Sequence, residues 1–406
     1  MNAPERFSDL PEYAFPRLRR LLDGRAPGGA CADAPVNMTI GEPRHPMPDV
    51  AAEVLAREAA GFAKYPPNAG TPGLRAAIAE WIGRRYGTPA DPEREVMALN
   101  GTREGLFNAA LALCPEAKGG RRPAVLIPNP FYQVYAVAAR AAGAEPVYVN
   151  ATAETGFLPE FAAVPADVLD RTAIAYLCSP SNPQGAVADA AYWRGLLELA
   201  ERHDFLVFAD ECYSEIWRDA PPPGAWQVAG EMGVPRERVV IFHSLSKRSN
   251  LPGLRAGFCA SGPGTMDRLK QLRDYAGAPL PLPIQAAAEA VWRDEAHVAA
   301  SLALYQEKFA LADEIFAGFP GHHPPEAGFF LWLRVPEPLG DGEAATIAAW
   351  ERAGVRVLPG AYLSRDTAAG NPGQRYVRVA MVAGREEVAR GLRALRAMFD
   401  ETTGSE

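Results

Sequence analysis

Between about residues 95 and 260 the chain alternates short, almost wholly apolar runs with longer stretches whose apolar positions recur at helical spacing. The runs are AVLIPN at 124–129, AIAYLCSP at 173–180, FLVFADE at 205–211, VVIFHSLS at 239–246 and AGFCASG at 256–262. None alternates strictly between apolar and polar, so each predicted strand is expected to be covered on both faces, as in a parallel sheet flanked by crossover helices. Between two of them, AAYWRGLLELAERH at 190–203 gathers its apolar residues on one helical face. This alternation predicts a doubly wound α/β domain, whose ligands collect beyond the carboxyl ends of the strands.

From about residue 285 the pattern changes. Helical stretches IQAAAEAVW and VAASLALYQEKFALADEIF precede short strand candidates at GFFLWLRV, VRVLPG and RYVRVAMV, and a last helix follows. That order suits a smaller α+β domain. The first forty-odd residues, with amphipathic PRLRRLLDG and then VNMTIGEP, are expected to join it. The expected boundaries are therefore a large α/β domain over 50–285 and a small α+β domain built from 1–49 and 286–406. There is no internal repeat, low-complexity tract or long linker.

A chain of 406 residues, 48% hydrophobic and 22% charged, can bury a substantial interior and falls in the range of folded globular proteins. No run approaches the roughly 20 apolar residues of a membrane helix. The start, MNAPERFSDLPEYAF, lacks a basic segment followed by an apolar block, so a cytoplasmic location is expected. The five cysteines, 31, 114, 178, 212 and 259, are scattered and form no CxxC pair, which argues against a disulfide framework or a zinc site. A net charge of −8 makes nucleic acid and anionic membrane unexpected partners, while leaving room for a local basic pocket.

The candidate chemistry lies just after the strand-like runs. Lys247, in SLSKRSN, follows VVIFH and would stand at the lip of the sheet; a plain surface lysine is the alternative. Asp210 ends FLVFAD, where a carboxylate could meet a ring nitrogen or merely cap a helix. Tyr213 follows three residues on. Asn182, in CSPSNPQG, could share a hydrogen-bonding task or only form a turn. A lysine for an aldehyde, an acid beside a pyridine nitrogen and small donors for a phosphate are what pyridoxal chemistry requires.

With SNPQG, DECYSE, SLSK followed eight residues after its lysine by Arg255, and RYVRVA all in order, the chain resembles the fold type I, class I/II aminotransferases over essentially its full length. The resemblance implies a pyridoxal 5′-phosphate enzyme with a large domain built on a mostly parallel, seven-stranded sheet beside a smaller α+β domain. Lys247 would carry the cofactor as a Schiff base and serve as catalytic base, Asp210 would pair with the ring nitrogen, and Asn182 and Tyr213 would hold the phenolic oxygen. The phosphate would meet Ser244, Ser246, Arg255, and Thr102 and Arg103 in the NGTREG loop. Tyr132 would stack on the ring, with Phe131 the other choice. Arg378 would clamp the substrate α-carboxylate, and the Gly41 backbone would meet the same group. Tyr65 would reach the partner's phosphate, implying a homodimer with shared sites.

The stretches IGEPRHPMP, AKYPPNAGTPGLRAAIAEW, FHSLSKRSNLPGLRAGF and VLPGAYLSR are similar to the succinyldiaminopimelate-using members of that family. The implied reaction exchanges the amino group of N-succinyl-L,L-2,6-diaminopimelate with 2-oxoglutarate, as in lysine biosynthesis. Such substrates carry a second carboxylate, for which Arg44 and Arg103 are the candidates. A broader aspartate, acetylornithine or aromatic aminotransferase, a pyridoxal C–S lyase, an aminocyclopropane-carboxylate synthase and a non-catalytic binding module remain alternatives.

Overall fold

A computed structural model describes residues 5–8, 10 and 12–404, so residues 1–4, 9, 11, 405 and 406 of the expected small domain lie outside the described residues. The large sheet has seven strands: β1 Val96–Leu99, β2 Ala124–Asn129, β3 Glu145–Asn150, β4 Thr172–Cys178, β5 Leu206–Asp210, β6 Val239–Ser244 and β7 Gly257–Ala260. Their spatial order is β1-β7-β6-β5-β4-β2-β3. Neighbours run parallel from β6 through to β3, and only β7 is antiparallel to both of its neighbours.

Covered faces explain the apolar runs. Along β4, β5 and β6 successive side chains enter different cores: Ala175, Leu177, Val207, Ala209, Val239 and Ile241 pack with Trp193 and Trp292. Ile174, Tyr176, Phe208, Val240 and Phe242 instead pack with Tyr135. Because side chains point alternately to opposite faces of a strand, a sheet clothed on both sides needs apolar residues at every position.

A second sheet has three antiparallel strands, β8 Phe330–Arg334, β9 Leu358–Pro359 and β10 Tyr376–Ala380, in the order β9-β10-β8. Helices Ala296–Ile315 and Arg385–Thr403 bury Phe309 and Leu392 in a core with Leu331 and Val377 from this sheet. The stretch VRVLPG, read as one strand, is divided in two. Val355–Arg356 pairs in parallel with Val36–Asn37, while Leu358–Pro359 joins β10. The VNMTIGEP segment is thereby carried from the second sheet's neighbourhood towards the lip of the first.

Candidate active site

Asp210, Ser244 and Cys178 are the last residues of β5, β6 and β4, and all three line one cavity of about 260 Å³. It lies where a doubly wound sheet is expected to hold ligands, beyond the carboxyl ends of parallel strands. Of the residues singled out in the sequence, Gly41, Thr102, Arg103, Phe131, Tyr132, Asn182, Asp210, Tyr213, Ser244, Ser246, Lys247, Arg255 and Arg378 all line this cavity.

Lys247 sits in a single helical turn, Leu245–Arg248, that begins as β6 ends. Its Nζ donates to the Gly41 carbonyl and stands 5.4 Å from the centre of the Phe329 ring. Burial, with help from Arg378 and Arg255 and against Cys212 and Glu42, lowers its pKa to about 8. Loss of solvation penalises the charged amine, so the neutral nucleophile is reached at a lower pH than for an exposed lysine.

Asp210 is 5% exposed. Its Oδ2 accepts a hydrogen bond of 2.6 Å from the Tyr135 hydroxyl, and its Oδ1 a long one of 3.4 Å from the Cys212 amide. Burial pushes the carboxyl above the usual range. Tyr213 is buried edge-on against Phe329 and Phe330.

The other end of the cavity is cationic. Arg378, on β10, donates from Nη1 to Asn182 Oδ1 at 2.9 Å and from Nη2 to the Thr39 carbonyl at 2.7 Å. Its guanidinium covers the Phe330 ring at 4.3 Å. Burial pulls its pKa down to about 10, and its Nε has no hydrogen-bond partner among the described residues. A buried guanidinium held by two neutral oxygens, with no acidic partner among the described residues, suits a planar carboxylate. Gly41 is required here by space: a Cβ would lie 2.5 Å from the Phe330 ring.

A third group of donors faces the same cavity. Helix Thr102–Leu113 opens at Gly101, and its first amides and Thr102 form one wall. Ser244 Oγ accepts from the Ser246 amide at 3.1 Å and lies 2.9 Å from Ser246 Oγ. Arg255 adopts φ +56° and holds the Pro252 carbonyl with Nη1 at 2.8 Å, which places its guanidinium against Gly101. A helix N-terminus, two hydroxyls and an arginine make a cradle for a phosphate dianion. Lysine, buried acid and anion cradle thus fit pyridoxal 5′-phosphate.

Some sequence expectations are placed differently. Arg44 does not line the cavity; its Nη1 pairs with Glu387 at 3.1 Å, with both side chains well exposed. Within one chain Tyr65 is fully exposed and also lies outside the cavity. The Gly41 carbonyl meets Lys247, while Thr39 supplies the backbone oxygen on Arg378. Asn182 Oδ1 is engaged by Arg378. Arg103 is at the rim, donating from Nε to the Tyr132 hydroxyl at 2.6 Å.

Other lining residues were not anticipated. Tyr13 and Phe15 come from the amino-terminal segment, Cys212 lies 3.1 Å from Thr102 Oγ1, and Phe330 forms the floor under Arg378. Tyr135 could have been sought in FYQVY, one helical turn after Tyr132, but only the fold brings its hydroxyl to Asp210.

A family model described as aminotransferase class I and II matches residues 33–395. The LL-diaminopimelate aminotransferase of Desulforudis audaxviator (strain MP104C) is 33% identical over 405 residues, covering 98% of this chain and 98% of that protein. The 4-dedimethylamino-4-oxo-anhydrotetracycline transaminase OxyQ of Streptomyces rimosus is 34% identical, covering 94% of this chain and 98% of that protein. The crystal structure of an aminotransferase from Neisseria meningitidis Z2491 superposes with a TM-score of 0.91 at 36% identity, covering 97% of this chain and 99% of that one. The lysine, acid and anion cradle therefore sit in a chain that belongs to the class I and II aminotransferase family and is a pyridoxal-phosphate-dependent aminotransferase.

Proposed function

We propose that the enzyme moves an amino group between a diaminopimelate-type donor, N-succinyl-L,L-2,6-diaminopimelate or diaminopimelate itself, and 2-oxoglutarate. The observation that carries this is a pair of cations lining one cavity: Arg378, buried and without an acidic partner among the described residues, and Arg103, exposed at the rim. Donor and acceptor both carry an α-carboxylate and a second, distant carboxylate, so both would use the same two arginines. The relatives named LL-diaminopimelate aminotransferase support the same substrate class.

Pyridoxal 5′-phosphate, when bound, supplies an electron-withdrawing ring that stabilises charge developing at the donor α-carbon. Lys247 would anchor it and, once displaced by the donor's amine, take the proton from that carbon. Asp210 would hold a proton on the ring nitrogen by its charge, with Tyr135 fixing the carboxylate's orientation. Tyr213 and Asn182 would hold the phenolic oxygen. Thr102, Ser244, Ser246, Arg255 and the amides after Gly101 would hold the phosphate, with Tyr132 against the ring face. Arg378 and Asn182 would fix the substrate α-carboxylate.

The proposal includes a homodimer, in which Tyr65 would donate its hydroxyl to the partner's phosphate. To test the substrate class, the cofactor-loaded enzyme is given 2-oxoglutarate with diaminopimelate, its N-succinyl derivative, aspartate, alanine or phenylalanine, and glutamate formation is followed. One of the two diaminopimelate donors should exceed every simple amino acid in kcat/KM by about tenfold or more, the scale of one charged hydrogen bond. Equal or better turnover of aspartate or phenylalanine would overturn it.

A further inference from the structure

A second cavity of about 250 Å³ opens beside the first, and the two share Tyr13, Arg103, Tyr132 and Gln133. The hydrogen bond from Arg103 to Tyr132 stands at the passage between them. Beyond it the walls are apolar, with Phe107 from helix Thr102–Leu113, Val137 from helix Val134–Ala141 and the Tyr148 ring from β3.

The charged residues of this chamber are all arginines: Arg103, Arg140 and Arg365 line it, and no carboxylate does so among the described residues. Arg365 is held in place. Its Nη1 donates to the Ser364 carbonyl at 2.7 Å, its amide donates to Asn129 Oδ1 at 2.8 Å, and its guanidinium lies 5.3 Å from the centre of the Phe131 ring. A largely apolar chamber with an anchored guanidinium in its wall suits an alkyl chain that terminates in a carboxylate.

We propose that this chamber takes the distal acyl arm of the amino donor: a chain whose far amine is masked as an amide and whose acyl group ends in a carboxylate, received by Arg365. Resting on the diaminopimelate-type donor proposed above, this separates its two forms. In free diaminopimelate the distal ammonium would face the Arg103 and Arg365 guanidinium groups, a like-charge encounter that disfavours binding. Succinylation replaces that ammonium with a neutral amide and adds a carboxylate at the chain's end.

The test uses the cofactor-loaded enzyme and two series of donors. One compares N-succinyldiaminopimelate, diaminopimelate and alanine; the other compares N6-succinyl-lysine and N6-butanoyl-lysine, which carry an acyl arm without the diaminopimelate frame, with free lysine. In the unaltered enzyme both succinylated donors should exceed their free-amine counterparts. Val137→Trp, which fills the chamber, should lower kcat/KM for both by about tenfold or more, the loss expected for one charged contact, and leave alanine unchanged. Arg365→Gln should abolish the preference for N6-succinyl-lysine over N6-butanoyl-lysine and again spare alanine.

If both succinylated donors keep their full kcat/KM in Val137→Trp, or if free amines are preferred throughout, the chamber does not read the arm. Should the diaminopimelate donors fail while N6-succinyl-lysine is used in a manner dependent on Val137 and Arg365, the chamber stands and the diaminopimelate reading falls. If diaminopimelate donors are used with indifference to the arm, the reverse holds.

Discussion

Lys247 releases its proton at about 8 rather than near the 10.5 of an ordinary lysine, because burial outweighs the nearby Cys212 and Glu42 and the arginines add to it. Its reactivity in the cofactor-free protein should therefore rise through a midpoint near pH 8. Trace labelling with acetic anhydride, a small neutral reagent, followed by peptide mass spectrometry from about pH 6 to about pH 11, a span that brackets both the buried and the ordinary lysine, measures that midpoint directly. Arg378→Leu removes a neighbouring cation and should move it upward; a midpoint above about 10 in the unaltered protein, near the ordinary value, would remove the burial argument. The sign for stability follows by linkage. Between about 8 and 10.5 the unfolded chain keeps a proton that the folded one has released, so raising the pH through that window adds to the stability of the cofactor-free fold. At this scale the candidate residues were readable: Lys247, Asp210 and Arg378 each stand in or beside an apolar strand, and the fold brings all three to one cavity. Tyr135 and Thr39 were not, because their roles come from partners 75 and 339 residues away along the chain.

Helix Thr102–Leu113 depends on the residue that precedes it. Gly101 adopts φ +78° and ψ 158°, a conformation costly for any residue with a Cβ, and a Cβ built there would lie 2.2 Å from Arg255 Nη2. Gly101→Ala should thus cost about 1 to 3 kcal/mol in stability and push Arg255 away from the helix N-terminus. Melting temperature of the cofactor-free protein reports the first effect, and the dissociation constant for pyridoxal 5′-phosphate the second. Both should worsen; an unchanged dissociation constant would mean that Arg255 and the helix end do not act together on the phosphate. Element by element, the central strands were legible because β2, β4, β5 and β6 are apolar at almost every position, as two covered faces demand. The outermost strands were not. β3 is half-buried throughout and begins with Glu145 and Pro146, while β1 is only four residues long, so neither supplies a long apolar run. In VRVLPG the chain leaves one pairing and enters another within a few residues, and no hydrophobic periodicity marks that change.

Taken as a single chain, the molecule leaves large aromatic side chains uncovered: Phe62 is 61% exposed, Tyr65 is wholly exposed and Tyr275 is 90% exposed. A hydrogen bond of 2.8 Å from Asn68 to Asp274 draws the segments carrying Tyr65 and Tyr275 together. Aromatic surface gathered in this way is characteristic of a contact face, and it is the face from which the proposed homodimer would send Tyr65 to the neighbouring site. A hydroxyl donating to a phosphate dianion is a charge-assisted contact, so Tyr65→Phe should weaken cofactor retention about tenfold while the fold persists. Subunit mixing then assigns the hydroxyl to a site. In a heterodimer of one Lys247→Ala and one Tyr65→Phe subunit, the first subunit's site lacks both its lysine and the partner's hydroxyl. The second subunit keeps its own Lys247 and receives an intact Tyr65 from the first. Purified heterodimers should therefore bind pyridoxal 5′-phosphate with unaltered affinity at one site of the two and recover half of the activity. If they show only the weakened affinity of the Tyr65→Phe parent, Tyr65 serves its own subunit, and the aromatic face has a purpose other than completing the neighbour's site.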